Sequence, residues 1–335
     1  MIRIAVLGCG RIGRMHATNI AAHARADLAA VYDIDRPSAE AVSKEHSVVA
    51  AETADAVFAS SDVDAVLIAT VTDTHTDYIE KAVGAGKPVL CEKPIDLSLD
   101  RVNQCADVVL STGVPIQIGF NRRFDPGHRA AKTAAQSGEI GDLHQVIITS
   151  RDPGMPPRSY YEVAGGLFRD MVIHDFDLAR YMLEEEPIEV FAIGGRLIDP
   201  VLMDELNDYD TTMVIMRTAS GKQCHINTSR SSTYGYDQRV ELLGSTGMVI
   251  SDNRRPYELR RYGAQKTGAA EPYLEFFIER YREAFDAEIE AFVDCIEHGR
   301  APEVGFEDGR QALILAEAAM KSVIESRFVT VNEIA

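Results

Sequence analysis

Residues 1–17 read MIRIAVLGCGRIGRMHA. An apolar run gives way to glycines at 8, 10 and 13, and Ile12, Met15 and Ile20 then begin a helical stripe. Strand, glycine turn and helix in that order suit a parallel α/β sheet that receives a dinucleotide. Gly8 permits the tight turn out of the strand, and Gly10 lets a pyrophosphate approach bare backbone. Gly13 lets helix and strand pack closely, while the helix N-terminus offers free N–H groups to the phosphates. Residues 28–33 read as a second strand. Asp33 stands at its end, twenty residues past Gly13, where a carboxylate holds an adenosine ribose. A carboxylate there repels a 2′-phosphate, so NAD is expected over NADP; Arg36 is the nearby group able to pair with that phosphate instead.

Outward from this stretch the pattern repeats. Apolar runs at 65–69, 88–91 and 115–118 alternate with helical patterns at 37–46, 73–85 and 99–111. That alternation predicts a parallel sheet with helices on both faces. From about residue 120 the texture changes. Strands are expected at 143–150, 188–197, 211–218, 222–231, 238–243, 248–251 and 257–262, with turn signals at Ser220-Gly221 and 244–247. Helices at 273–297 and 307–325 close the chain. The expected architecture is an N-terminal doubly wound Rossmann domain, 1–120, followed by an α/β domain with a large, open, mostly antiparallel sheet, 121–335. So few helices leave one sheet face bare. A second copy would cover it, giving a homodimer or homotetramer, unless that face is polar enough for water.

The 335 residues carry a net charge of −18. Such a surface repels phosphate backbones and anionic lipid, so neither nucleic acid nor membrane is an expected partner. No apolar run approaches the ~20 residues of a membrane span. A strand starting at Ile2 leaves no room for a secretion signal. Cys9, Cys91, Cys105, Cys224 and Cys295 are scattered and never in a C-x-x-C pair, as expected of core residues in a reducing cytoplasm.

Two stretches can carry chemistry. Cys91-Glu-Lys-Pro-Ile95 follows a parallel strand directly, which carries Lys93 to the strand ends where ligands sit in open α/β sheets. A lysine there can hydrogen-bond a substrate hydroxyl and stabilise its alkoxide; a solvated loop lysine is the alternative. The second stretch is Gly165-Gly-Leu-Phe-Arg-Asp-Met-Val-Ile-His-Asp-Phe-Asp-Leu-Ala-Arg-Tyr181. At about 100° per residue, Asp170, His174, Asp177 and Tyr181 share one side of a helix and Val172, Phe176, Ala179 and Leu183 the other. His174 suits a general base, its unperturbed pKa being about 6.5, with Asp170 one turn away to orient it. An ordinary wet helix face and a metal chelated by Asp and His are the alternatives, and no metal is expected. Thr72 is expected to cap the next helix, the strand before His75 leaves an approach to the nicotinamide side open to it, and His16 is expected to be structural.

G-C-G-R-I-G-R-M-H, then C-E-K-P, then D-M-V-I-H-D-F-D, then the tail E-x-F-x-x-C-I-E-H-G-R-A-P resemble the glucose–fructose oxidoreductase/inositol dehydrogenase superfamily across nearly the whole chain. Within it, G-F-N-R-R-F-D, S-R-D-P and Y-G-Y-D-Q-R-V-E are most similar to the myo-inositol 2-dehydrogenases. The resemblance implies catalysis by Lys93, Asp170 and His174. It implies a polyol pocket including Asn121, Arg122, Asp152 and Tyr236, and NAD contacts from the glycine turn with Arg11 and Ile12, from Asp33, and from Thr70, Thr72, His75, Glu92 and Lys93. The activity it implies is oxidation of a ring hydroxyl of a cyclic polyol, myo-inositol to its 2-keto product. An aldose 1-dehydrogenase or keto-sugar reductase, or a non-catalytic NAD(H)-binding redox sensor, are the other readings.

Overall fold

The computed structural model describes residues 1–334; Ala335, the last residue of the expected second domain, lies outside the described residues. The chain opens with β1 (Ile2–Leu7), α1 (Arg11–Ala22), β2 (Ala26–Tyr32), α2 (Arg36–His46), β3 (Val49–Ala50) and α3 (Ala54–Ala59). Next come β4 (Ala65–Ile68), α4 (His75–Gly84), β5 (Val89–Cys91), α5 (Leu99–Val109) and β6 (Ile116–Ile118). After these follow α6 (Pro126–Gln136), β7 (Leu143–Arg151), α7 (Arg158–Ala164), α8 (Ile173–Leu183), β8 (Pro187–Gly195) and α9 (Pro200–Leu206). Then come β9 (Thr211–Thr218), β10 (Gln223–Ser229), β11 (Asp237–Gly244), β12 (Met248–Ser251), β13 (Arg260–Gly263) and β14 (Lys266–Ala270). The chain closes with α10 (Phe277–Arg280), α11 (Arg282–His298), α12 (Phe306–Glu325) and β15 (Val329–Thr330).

Two compact units form. One comprises Met1–Phe124 with Glu283–Leu313, the other Asp125–Arg282 with Ile314 onward. Residues 283–313 therefore return to the first unit. The cause is hydrophobic: Ile289, Phe292 and Val293 of α11 share one buried core with Ile4, Val6, Ile20, Leu67 and Leu90.

In the first unit six strands lie in the order β3-β2-β1-β4-β5-β6, and every pair is parallel. β1 has β2 on one side and β4 on the other, so the strand order reverses at β1, and the glycine turn follows its carboxyl end. Dinucleotides bind at such switch points. All four residues of β4 are buried, as expected of a strand inside a sheet covered on both faces. The two residues of β3 and the six of α3 are too short to register as periodicity.

In the second unit seven strands run β12-β11-β7-β10-β9-β8-β15. β7 and β10 pair in parallel and all other neighbours are antiparallel. Alternation sorts each strand: Val214, Met216, Ile226, Ile148 and Leu242 are buried, whereas Met213, Ile215, Met248 and Ile250 are exposed. Helices α6 and α8 pack on this sheet. Cross-strand partners Ile193 and Met213 share the open face. The strand expected at 257–262 falls instead at β13, which pairs only with β14 in a separate two-stranded sheet. The helix expected at 273–297 divides at Tyr281 into α10 and α11. Among the described residues no helix is long and apolar enough to cross a membrane.

Candidate active site

The glycine turn in the first unit is built for close approach. Gly8 has φ +95°, and a Cβ there would lie 2.3 Å from the Ala69 carbonyl oxygen. At Gly13 a Cβ would lie 1.8 Å from the Gly8 oxygen, so α1 seats on the turn only because Gly13 has no side chain. Gly10 differs: a Cβ there would meet nothing within 4 Å, and its φ of −70° suits any residue. Packing does not require that glycine; the open space beside it is what a pyrophosphate needs. Gly10 is also the N-cap of α1, and no side chain caps that helix end. The residues present therefore fit a dinucleotide, with Arg11 and Gly10 exposed and Ile12 half-buried at the turn.

Asp33 directly follows β2, beside this turn. Its Oδ2 accepts from the Cys9 N–H at 2.6 Å and its Oδ1 from the Asp35 N–H at 2.8 Å, so it ties strand β2 to the glycine turn. Arg36 is committed elsewhere. Its guanidinium donates to Glu40 at 2.9 Å and to the carbonyls of Ala50 and Ala51 at 3.2 and 3.1 Å, and it lies 3.3 Å from Glu52. A carboxylate thus stands beside the glycine turn, while the nearest cation is occupied by other partners.

At the ends of β4 and β5 one expectation is corrected. Thr72 caps nothing: it opens a 3-10 turn, Thr72–Thr74, and neither this turn nor α4 has a side-chain cap. Because the chain tightens before α4 begins, Thr72 sits inside the turn rather than ahead of it. Thr70 and Thr74 share a hydroxyl hydrogen bond at 2.7 Å. His75 is 1% exposed, so its ring faces the interior. Its Nδ1 lies 2.8 Å from the Pro94 oxygen and its Nε2 3.2 Å from the Thr70 oxygen. Burial lowers its pKa, so the ring is neutral and its one N–H serves the shorter contact, to Pro94. His75 therefore braces the Glu92-Lys93-Pro94 segment from behind. Glu92 and Lys93 are half-buried, and Glu92 Oε1 lies 2.8 Å from Nε2 of the fully buried His16. Asn121 and Arg122 are buried in a 3-10 turn, Asn121–Phe124, after β6.

The second unit holds Asp152, Asp170, His174 and Tyr236. Here the expected two-faced helix is corrected. Residues 168–172 form a π turn, a form frequent at functional sites, before α8 begins at Ile173. The wider turn changes the phase between Asp170 and His174. Asp170 and Asp177 are buried, α8 is buried nearly all round, and His174 and Tyr181 are half-buried. Asp170 accepts from Tyr160 Oη at 2.7 Å and from Arg230 Nη2 at 2.7 Å. Arg230 also reaches Asp152 at 3.2 Å and lies over the Tyr161 ring, 5.6 Å from its centroid. Burial, then the Asp170 charge, pushes the Tyr160 phenol far above its ordinary value, so it stays a donor. Tyr236 is buried edge-on against Tyr281. The unit therefore brings Asp152 and Asp170 together through an arginine that the sequence reading missed. The signal was Ser229-Arg230-Ser231, a cation set between small polar residues where a strand ends.

Comparison with known proteins agrees with this geometry. Residues 2–120 match an oxidoreductase family with an NAD-binding Rossmann fold, and residues 128–250 match the GFO/IDH/MocA C-terminal domain. The chain is 47% identical over 331 residues to an inositol 2-dehydrogenase of Rhizobium meliloti, covering 98% of this chain and 99% of that protein. A solved myo-inositol dehydrogenase of Corynebacterium glutamicum superposes with a TM-score of 0.95 at 41% identity, covering 98% of both chains. A scyllo-inositol dehydrogenase of Lactobacillus casei, solved with NAD(H) and scyllo-inositol bound, gives 0.92 at 31% identity over 99% of each.

Proposed function

The chain belongs to the GFO/IDH/MocA oxidoreductase family, and from that premise we propose that it is an NAD-dependent inositol dehydrogenase that oxidises myo-inositol at a ring hydroxyl to the 2-keto product. The observation that carries the reading is the near-full-length likeness to an inositol 2-dehydrogenase at 47% identity, joined to a glycine turn with open space at Gly10. NAD, when bound, supplies the hydride acceptor. His174 takes the proton of the reacting hydroxyl. Asp170 supports the imidazolium that forms, and its own carboxylate is steadied by Tyr160 and Arg230. Lys93 stabilises the developing alkoxide by charge-assisted hydrogen bonding. Asn121, Arg122, Asp152 and Tyr236 bind the remaining hydroxyls. Asp33 holds the ribose, with Arg11, Ile12, Thr70 and Glu92 along the cofactor.

The test is a screen of NAD reduction by purified protein against inositol isomers and common aldoses. Myo-inositol should give the highest kcat/KM; an aldose beating every inositol would replace this reading with an aldose dehydrogenase. Tight NADH binding with no turnover on any polyol would favour a redox sensor. The open sheet face, with Ile193, Met213, Ile215, Met248 and Ile250 exposed, supports a homo-oligomer built on that face. Its five cysteines are buried free thiols, which supports a cytoplasmic location.

A further inference from the structure

Behind the Glu92-Lys93-Pro94 segment lies a polar cluster whose two buried members, His16 and Glu288, have no role in the reaction above. His16 of α1 is fully buried, donates through Nε2 to Glu92 at 2.8 Å, and meets Phe285 of α11 edge-on with centroids 5.7 Å apart. Nearly one turn further along α11 comes Glu288, also fully buried. A His16 ring nitrogen and one oxygen from each of Glu92 and Glu288 lie within 4.8 Å of one another. Among the described residues neither Glu288 oxygen has a hydrogen-bond partner. Gln117 of β6 fixes this part of α11 by donating Nε2 to the Glu288 backbone carbonyl at 3.0 Å. Lys93 is thus flanked by two anchored neighbours: Glu92, held by His16, and Pro94, held by His75.

We propose that His16 and Glu288 are positioning residues for Lys93: His16 holds the Glu92 carboxylate by its hydrogen bond, Glu288 confines it by lying beside it as an acid, and through Glu92 they set the backbone that carries the Lys93 ammonium. The proposal rests on Lys93 acting at the reacting hydroxyl. Charge decides how the cluster works. Two ionised carboxylates this close, at zero exposure for Glu288, would repel each other and leave a buried anion without a partner. Burial first, and the Glu92 charge second, push the Glu288 carboxyl well above its ordinary value. Glu288 therefore serves as the neutral acid of the pair, beside the carboxylate that His16 contacts. The titratable groups facing Glu288 are His16 from α1 and Glu92 from the end of β5; His75 at the start of α4 senses Glu92.

The tests use the full chain with NAD. His16→Leu should lower kcat about tenfold or more while the Kd for NADH stays within about threefold, and His16→Gln, which keeps an N–H toward Glu92, should recover most of the loss. Infrared spectra near neutral pH should show the carbonyl band of a neutral carboxylic acid, absent in Glu288→Gln. The buried acid must lose its proton on unfolding, so wild type should lose Tm relative to Glu288→Gln as pH rises above about 4.3. Wild-type kcat in His16→Leu, a band that survives Glu288→Gln, a Tm gap that does not vary with pH, or stoichiometric zinc or manganese removed by Glu288→Gln would each overturn the proposal. If no polyol is oxidised, the substrate reading fails on its own, and the infrared and Tm results still decide the state of Glu288.

Discussion

Replacing Asp33 by serine isolates what selects the cofactor. The carboxylate is half-buried, and a 2′-phosphate arriving there would bring about −1.5 to −2 charges. A unit pair about 4 Å apart costs about 1 kcal/mol in water and about 4 kcal/mol at an effective dielectric of 20, so a half-exposed site gives about 2–4 kcal/mol of discrimination. Removing the charge should raise the NADP/NAD ratio of kcat/KM by about 30- to 1000-fold. Loss of the ribose hydrogen bond pushes the ratio the same way by weakening NAD. Asp33 also accepts from the Cys9 and Asp35 N–H groups, and serine can serve at most one, so a lower Tm is expected as well. The ratio is immune to that complication, because both cofactors are measured on the same variant. Arg36 should not rescue NADP in the single variant, since Glu40, Glu52 and two carbonyls hold it. Adding Glu40→Ala should free it and raise the ratio further. An unchanged ratio in Asp33→Ser would refute the argument and put ribose recognition elsewhere.

The second and third glycines of the turn should separate fold from function. Gly10→Ala adds a methyl group to open space at an ordinary φ, so Tm should hold while the Kd for NADH, measured by titration calorimetry, rises at least about tenfold. Gly13→Ala drives a Cβ to 1.8 Å from the Gly8 oxygen, and thermal unfolding should show destabilisation of about 3 kcal/mol; equal Tm values for the two variants would contradict this packing. His174→Ala should cut kcat at least about 100-fold with NADH binding near normal, and wild-type turnover would remove it from the reaction. In the second unit, Asp125 and Arg280 form an ion pair at 2.6 Å, each 1% exposed. Burial alone would raise the Asp125 carboxyl, but His128, Arg280 and hydrogen bonds hold it below its ordinary value. Its contribution is therefore present above about pH 4 and lost as pH falls through the lower native value. Asp125→Asn should cost about 3–5 kcal/mol at neutral pH and little in strong acid, and a penalty independent of pH would argue against the ion pair.

What the sequence disclosed followed from how local each cause was. The β1 turn was legible because three glycines in six positions and an apolar run answer to one short-range demand, and Gly8 and Gly13 meet it as expected. Helix α6 was equally local, with Asp125 capping Gly127 and His128 ahead of Pro126 at the first turn, yet it escaped notice because its buried face is only His128, Ala131 and Lys132. The environment of Asp170 was out of reach for a different reason. A 100° wheel assumes one hydrogen-bonding period, and the π turn at 168–172 breaks it. The partners that hold Asp170 come from 10 residues upstream and 60 residues downstream, a pairing that no periodicity encodes. His75 carries the same lesson in reverse. Its position after a strand pointed toward the cofactor, but the side chain turns inward to Pro94, 19 residues on. Placement at a strand end thus identifies which backbone reaches a ligand. Which side chains reach it is settled by contacts across the fold, and those divide this segment into Lys93, half-buried, and His16, His75 and Glu288, sealed behind it.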